Sequence, residues 1–334
     1  MITALAAIFV FLLVVLVHEA GHFTVAKMVG IKVNEFAIGM GPKLIQRKKG
    51  ETQYTLRALP IGGYVKMEGE DESSDDPRGF ANVSVGSRIA VISAGAIMNF
   101  VLAIVVLSLV AFNVGVPSTT IDEIIEGSPA QEYGIVQGDR VVQIEGNPIN
   151  NWEDIVSTIN SQDPGTFIQV QVERGGEIVN LDVKPTLDEG RVVIGIVPAY
   201  ETGFFSAIKS GFQETWYFLK LMFQFLGMLF QGNVSTNDLA GPVGVINEIG
   251  NAASMGFTSV LYILGFISIN LGFFNLLPIP ALDGSKIVFL LIELLRGKPI
   301  DADKEGFIHF IGFVFLISLM LIVTYKDLIR INLF

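Results

Sequence analysis

His18 and His22 stand four residues apart in VLVHEAGHFTVAK (residues 15–27), with Glu19 between them, at the end of an uncharged apolar run from Ile2 to Val17. Four residues are about one helical turn, so on a helix both imidazoles leave the same face, and Glu19 borders it. H-E-x-x-H is the pattern in which two histidines hold Zn2+ and the glutamate acts as general base. Ionisable groups within an apolar span cost roughly 2.5–3.5 kcal/mol each on insertion scales, so their presence asks for a compensating role. Two of the chain's three histidines fall on this motif. A polar patch for helix packing is the plainer alternative.

A zinc site with two histidines needs a third protein ligand and an open position for water. The chain has no cysteine, which removes thiolates and any disulfide framework. Two candidates remain. His309 opens the last apolar segment and reads more simply as an interfacial residue. Asp283 lies in NLLPIPALDGSK (275–286), where Pro278 and Pro280 forbid a continuous helix. Such a break within a membrane is tolerated where it is buried or lines a polar cavity, and it frees Asp283 to reach another helix. The alternative for Asp283 is a cap on a kinked helix.

The elements that must position these residues are mostly apolar. Of 334 residues, 51% are hydrophobic and 16% charged, which excludes an ordinary soluble chain. Blocks 2–28, 88–112 and 257–277 reach the spanning length of about 20 residues, and 307–325 is nearly as long. The expectation is a polytopic α-helical membrane protein with four spans. The first span (1–28) lacks a basic start and is read as retained. The third is read as broken, over 257–296. Ten lysines and arginines lie in 27–88 and six in the longer 113–256. That bias predicts 29–87 in the cytoplasm, with 113–256 and both termini outside, and His18 toward the cytoplasmic side. The net charge of -11 includes the acidic run EGEDESSDDP (68–77), read as a solvated linker; nothing points to nucleic acid.

Between the spans, LIQRKKGETQYTLRALPIGGYVKM reads as extended runs around Lys49-Gly50, with a third after Gly62-Gly63, giving a small cytoplasmic-side β-sheet within 29–87. Residues 115–200 carry a Ser-Pro start, a Gly-Asp turn, a helix opened by Asn150-Asn151 and a hairpin around Gly175-Gly176. This pattern is that of an extracytoplasmic, β-rich, PDZ-like domain. Over 204–231, Lys209, Gln213, Lys220, Gln224 and Gln231 make a narrow polar stripe. That segment is read as an amphipathic interfacial helix, or one packed on the bundle, and not as a span. Were it to cross, 257–277 would run the wrong way to bring Asp283 to the depth of His18.

Taken together, HEAGH in the first span, NLLPIPALDG in a late one and the PDZ-like stretch between them resemble the site-2 protease family of intramembrane zinc metalloproteases. GMGPKL (39–44) and AGAIMNF (94–100) add to the likeness. The nearest type is the bacterial RseP-type enzyme that cleaves anti-sigma factors. Here there is a single PDZ-like domain where some relatives have two, and Ala96 stands where the family often has proline. The resemblance implies that His18, His22 and Asp283 bind Zn2+, that Glu19 is the base, and that Asn275 helps hold the substrate backbone or the intermediate. A helix cap before the prolines is the equal alternative for Asn275. Asn99 reads as a helix–helix hydrogen-bonding residue. The implied activity is that of a multi-pass endopeptidase of the bacterial plasma membrane, surrounded by lipid. It would cut the spans of single-span proteins, such as anti-sigma factors or signal-peptide remnants, after an upstream site-1 type protease has made a first cut outside. The unwound substrate would pair with an edge of the cytoplasmic sheet, expected within Thr52–Leu56. Two rival readings stay open. One is a membrane-anchored zinc protease that removes misfolded membrane proteins. The other is a non-catalytic PDZ scaffold or a transporter with a broken helix, which would need no zinc.

Overall fold

The computed structural model describes residues 1–70, 74–188, 190–233 and 240–330, with the backbone alone at 60, 61 and 302. Residues 71–73 of the acidic run lie outside the described residues. The chain forms two compact units, one of residues 1–110 and 211–334, the other of residues 111–210.

Helix α1 (Ile2–Met28) is 27 residues long, about 40 Å at 1.5 Å per residue. Its buried residues, Ala7, Val10, Val14, His18, Gly21, His22 and Ala26, recur every three or four positions and so form one stripe. Both histidines lie on it. Strands β1 (Val33–Lys49) and β2 (Thr52–Met67) follow. Their register is doubled: Phe36 pairs with both Val65 and Tyr54, and Ile38 with both Gly63 and Leu56, while Ile45 also pairs with Leu56. The two long strands therefore fold into four lanes. Residues 53–56 have partners on both sides, and residues 63–67 form an edge. The expected pairing site at Thr52–Leu56 is thus corrected: that stretch is interior. Only an edge offers free backbone groups to an added strand. The start of the acidic run is also less loose than a solvated linker. Glu68 accepts from Lys32, Asn34 and Ser74, and these donors pull its carboxyl down to about 2.

Helix α2 (Val85–Val114) runs unbroken through Ala96 and antiparallel to α1. Val91 meets His22 and Asn99 meets His18, while Val106 joins Ala7 and Val10 in a buried cluster. Gly21 permits the crossing, because a Cβ there would lie 2.4 Å from the Ala94 carbonyl oxygen.

The second unit holds β3 (Val116–Ile124), the one-turn α3 (Pro129–Glu132), β4 (Arg140–Ile144), β5 (Asn147–Pro148), α4 (Trp152–Asn160), β6 (Ile168–Arg174), β7 (Glu177–Val183), β8 (Thr186–Asp188), β9 (Arg191–Val193) and β10 (Ile196–Glu201). The main sheet has the order β10-β3-β4-β6-β7, with β5 on β4. Its core includes Ile121, Val141, Ile144, Ile155, Val170 and Val172. Asn151 caps α4 by accepting from the Asp154 N–H. Gly175 and Gly176, at φ +59 and +88, turn the β6–β7 hairpin, which fits a type I′ turn. The fully buried Asp139 takes a two-pronged bond from Arg174.

The chain then forms α5 (Phe204–Phe230), α6 (Pro242–Met255), α7 (Phe257–Leu276), α8 (Asp283–Arg296) and α9 (Ala302–Arg330). Among the described residues, α1, α2, α7 and residues 303–330 of α9 are long and apolar enough to cross a membrane. Helix α7 runs parallel to α1: Phe257 stacks near Phe9, and Val260 and Leu264 share a cluster with Val10 and Val14. Helix α5 does not lie flat across the bundle's end. It follows α7 downward, with Glu214 on Tyr262, Phe218 on Phe266 and Phe223 on Phe273. Helix α6 packs near the start of α1, where a Cβ on its Gly250 would lie 2.7 Å from Thr3 Cγ2. Its Gly241 and Gly244 N–H groups donate to the buried Asp327 carboxylate of α9. Helices α5 and α6 precede α7 in the chain, and α7 runs in the same direction as α1.

Candidate metal centre

Three elements meet at the histidines. Helix α1 supplies His18 and His22, α2 supplies the opposing wall, and the break between α7 and α8 supplies Asp283. The α2 wall is possible because residue 95 is glycine: a Cβ there would lie 2.3 Å from His22 Nε2 and 2.7 Å from His18 Cε1. The break follows from sequence. Pro278 and Pro280 deny α7 its next donors, and α8 restarts at Asp283 with Leu282 as its cap residue and no side-chain cap bond. Asp283 is therefore not a helix cap. Its Oδ2 lies 3.2 Å from His18 Nε2 and 3.5 Å from His22 Nε2, and the two Nε2 atoms are 3.2 Å apart. Ion pairs tie α8 in place, from Arg88 of α2 to Glu293 and from Lys286 to Glu70.

This donor set fits a zinc ion. Zn–N and Zn–O bonds of about 2.0–2.1 Å at a tetrahedral centre put neighbouring ligand atoms about 3.3 Å apart, which matches the three separations. The hydrogen bonding agrees. His22 Nδ1 donates to the Val91 carbonyl at 2.8 Å, so a neutral His22 turns a bare Nε2 lone pair toward a carboxylate. A cation held by both would stabilise that arrangement. Asp283 Oδ2 is buried with no hydrogen-bond partner, as expected for an atom meant for a metal. The Asn99 amide nitrogen lies 3.2 Å from His18 Nδ1, and Asn99 Oδ1 has no partner. With the amide turned over, Oδ1 accepts from Nδ1–H and leaves His18 Nε2 free for metal, the usual way an outer residue fixes a ligand's tautomer. Among the described residues, His18, His22 and Asp283 are the one group of three or more such side chains found with donor atoms close enough for one ion.

The remaining anticipated residues fall around this cluster, with one exception. Glu19 borders it and packs on the sheet, where a Cβ on Gly63 would lie 2.9 Å from Glu19 Cγ. The Asn275 amide nitrogen is 3.4 Å from His18 Nε2. His309 is not in the donor group, nor is it simply interfacial: its Nδ1 accepts from the Ala281 N–H at 3.1 Å. A cleft of about 180 Å³ joins His18, Glu19, His22 and Asp283 to Gly63, Tyr64 and Val65. Sequence reasoning missed this edge. The signal was present in Gly63, whose lack of a side chain lets the strand approach Glu19.

A family model described as peptidase family M50 matches residues 6–319. The chain belongs to peptidase family M50, the site-2 protease family. It is a metalloendopeptidase. A Clostridium acetobutylicum protein with zinc metalloprotease in its name is 42% identical, covering 97% of this chain and 96% of its own length. The regulator of sigma-W protease RasP of Bacillus subtilis is 33% identical, covering 98% of each chain. A solved PDZ domain of an SdrC-like protein from Listeria innocua is 24% identical over 27% of this chain and 99% of its own, with a TM-score of 0.23.

Proposed function

We propose that this M50 peptidase cuts peptide bonds inside the membrane, within the spans of single-span proteins already shortened by an upstream protease. Zn2+ is its cofactor. In this reading His18, His22 and Asp283 hold the ion, which when bound acts as a Lewis acid and brings a water to a pKa near 7. Glu19 accepts that water's proton as it attacks the scissile carbonyl, then passes the proton to the departing amine. Asn275, beside His18 on the last turn of α7, holds the substrate carbonyl or the oxyanion formed from it through its amide N–H. The Val91 carbonyl and Asn99 keep the imidazoles in the tautomer that presents Nε2.

One observation carries this reading: Glu19 and the three donors share a cleft with residues 63–67, which among the described residues have a strand partner on one side only. A helical substrate hides its carbonyls in its own hydrogen bonds. An unwound segment can exchange them for bonds to that edge, as in other strand-addition complexes. Gly63 brings the edge against Glu19 without a side chain between them. We further propose that 29–87 faces the cytoplasm and the 111–210 unit lies outside, where it limits access to substrates whose outer parts are gone. The lysine and arginine bias supports this sidedness. By analogy with the sigma-W regulator, anti-sigma factors are the first substrate class to try. Glu19→Gln keeps the shape but not the proton acceptor. Purified Glu19→Gln should carry zinc at the wild-type ratio and leave a co-expressed single-span substrate uncut; wild-type cleavage by this variant would remove Glu19 from the mechanism.

A further inference from the structure

Asp283 is the one member of the donor set not fixed by a helix interior, so something outside its own helix must hold it. The loop before it, 277–282, contains one strained residue. Ala281 has φ +76, a left-handed conformation that alanine rarely adopts. The N–H groups of Leu277, Ile279 and Leu282 close on α7 or on the loop itself. Ala281 differs: its N–H donates to His309 Nδ1 on α9, 28 positions along the chain. Accepting at Nδ1 leaves the His309 proton on Nε2, which faces Glu305 Oε1 at 3.7 Å. The ring is held edge-on against Phe289 of α8, with centroids 5.6 Å apart. One turn further along α9, Gly312 presses on the same loop, where a Cβ would lie 2.3 Å from Pro280 Cβ. Over the rest of its length α9 is largely exposed to the surroundings of the bundle. Its contacts with the aspartate loop are therefore specific anchors and not part of a broad packed face.

We infer that His309 is a positioning residue: from a peripheral helix it holds Ala281 in its left-handed conformation and so aims the Asp283 carboxylate at His18 and His22. The inference rests on Asp283 being a zinc ligand. It assigns α9 a part in metal affinity without giving it a ligand. The ring's acceptor atom is what matters. Asparagine offers Oδ1 close to where histidine has Nδ1, whereas leucine fills the space with no acceptor.

The test is zinc affinity of the full chain in detergent, measured by chelator competition. His309→Leu should weaken zinc about tenfold or more, within the 10–100-fold range of outer partners, and His309→Asn should stay within about threefold of wild type. Ala281→Gly, which removes the strain, should recover part of the loss in the His309→Leu background. If His309→Leu fails to accumulate, Gly312→Ala poses the same question by pushing the loop from the other side, and should also weaken zinc. Asp283→Asn separates the two readings. If it weakens zinc while His309→Leu and Gly312→Ala do not, the positioning role is wrong and the ligand stands. If Asp283→Asn leaves affinity unchanged, both fall. Equal loss in His309→Leu and His309→Asn, with no recovery from Ala281→Gly, would also overturn the role, because only ring bulk would then matter.

Discussion

His18 and His22 leave one face of a continuous helix, whereas Asp283 opens a helix after a proline-broken loop. The first pair is set by helix geometry, which four residues of sequence are enough to dictate. The third donor depends on contacts from three other elements: Arg88 and Glu70 on α8, and His309 and Gly312 of α9 on the loop or α8. Local encoding gives precision without support. A donor on a loop gains reach across the bundle and needs an external frame to be equally precise.

Removing a donor has the largest effect. His22→Ala and Asp283→Asn should each lower zinc affinity by more than about 100-fold, beyond the usual range for outer residues, as read by metal content after dialysis against a chelator. Their effects on cleavage should be equally severe, with His309 variants well behind. Crowding comes next. Gly95→Ala puts a methyl against both imidazoles, and overpacking of that kind costs about 1–3 kcal/mol, which carried onto the metal is a loss of zinc affinity of roughly fivefold or more.

The edge strand gives a sharper pattern. Within residues 63–67, proline at positions whose N–H faces the cleft should reduce cleavage with zinc content and yield unchanged, whereas proline at the alternate positions, whose N–H pairs with residues 33–38, should lower the yield of folded protein. Easily unwound substrates should suffer least. A proline at Thr55, paired on both sides, should instead disrupt the sheet and lower the yield of folded protein. Loss of folded protein at every position of 63–67, or full cleavage with proline at the cleft-facing ones, would argue that the strand is structural and does not pair with substrate.

The smallest effect on catalysis should come from the β-rich unit. Burial alone would push the Asp139 carboxyl up, but the Arg174 guanidinium and the Val136 N–H hold it below the ordinary range. A depressed carboxyl stabilises the fold above its unfolded pKa, about 3.9, and loses that contribution as the pH falls through the folded value. Protection of this unit from hydrogen exchange should therefore be level from neutral pH to about pH 4 and decline below it. Asp139→Asn should remove about 2 kcal/mol of that protection and leave zinc affinity untouched.

Both chemical motifs were legible in the sequence, because HEAGH and NLLPIPALDG carry their geometry within a few residues. The four apolar helices and the hairpin at Gly175-Gly176 were legible for the same reason: periodicity and turn chemistry are local. The interior position of Thr52–Leu56 was not, since two long strands can pair in several registers and only the folded sheet chooses one. Helix α6 was also missed. Its start, GPVG, has no capping side chain, and the cap comes from Asp327, far along the chain. His309 looked interfacial because nothing near it in sequence points to Ala281. What escaped the sequence was in each case a contact between distant segments.

In the proposed reaction a peptide bond is cut within a membrane span by the His18–His22–Asp283 centre with Glu19 as base. This is tested most directly by co-expressing a single-span substrate, trimmed on its outer side, with wild-type protein and with Glu19→Gln, and mapping the new chain ends by mass spectrometry. The wild-type protein should give a new C terminus inside the apolar span, and Glu19→Gln should leave essentially intact substrate, a fall of about 10²–10⁴-fold. A cut in a polar flanking loop, or the same ends from both proteins, would contradict it.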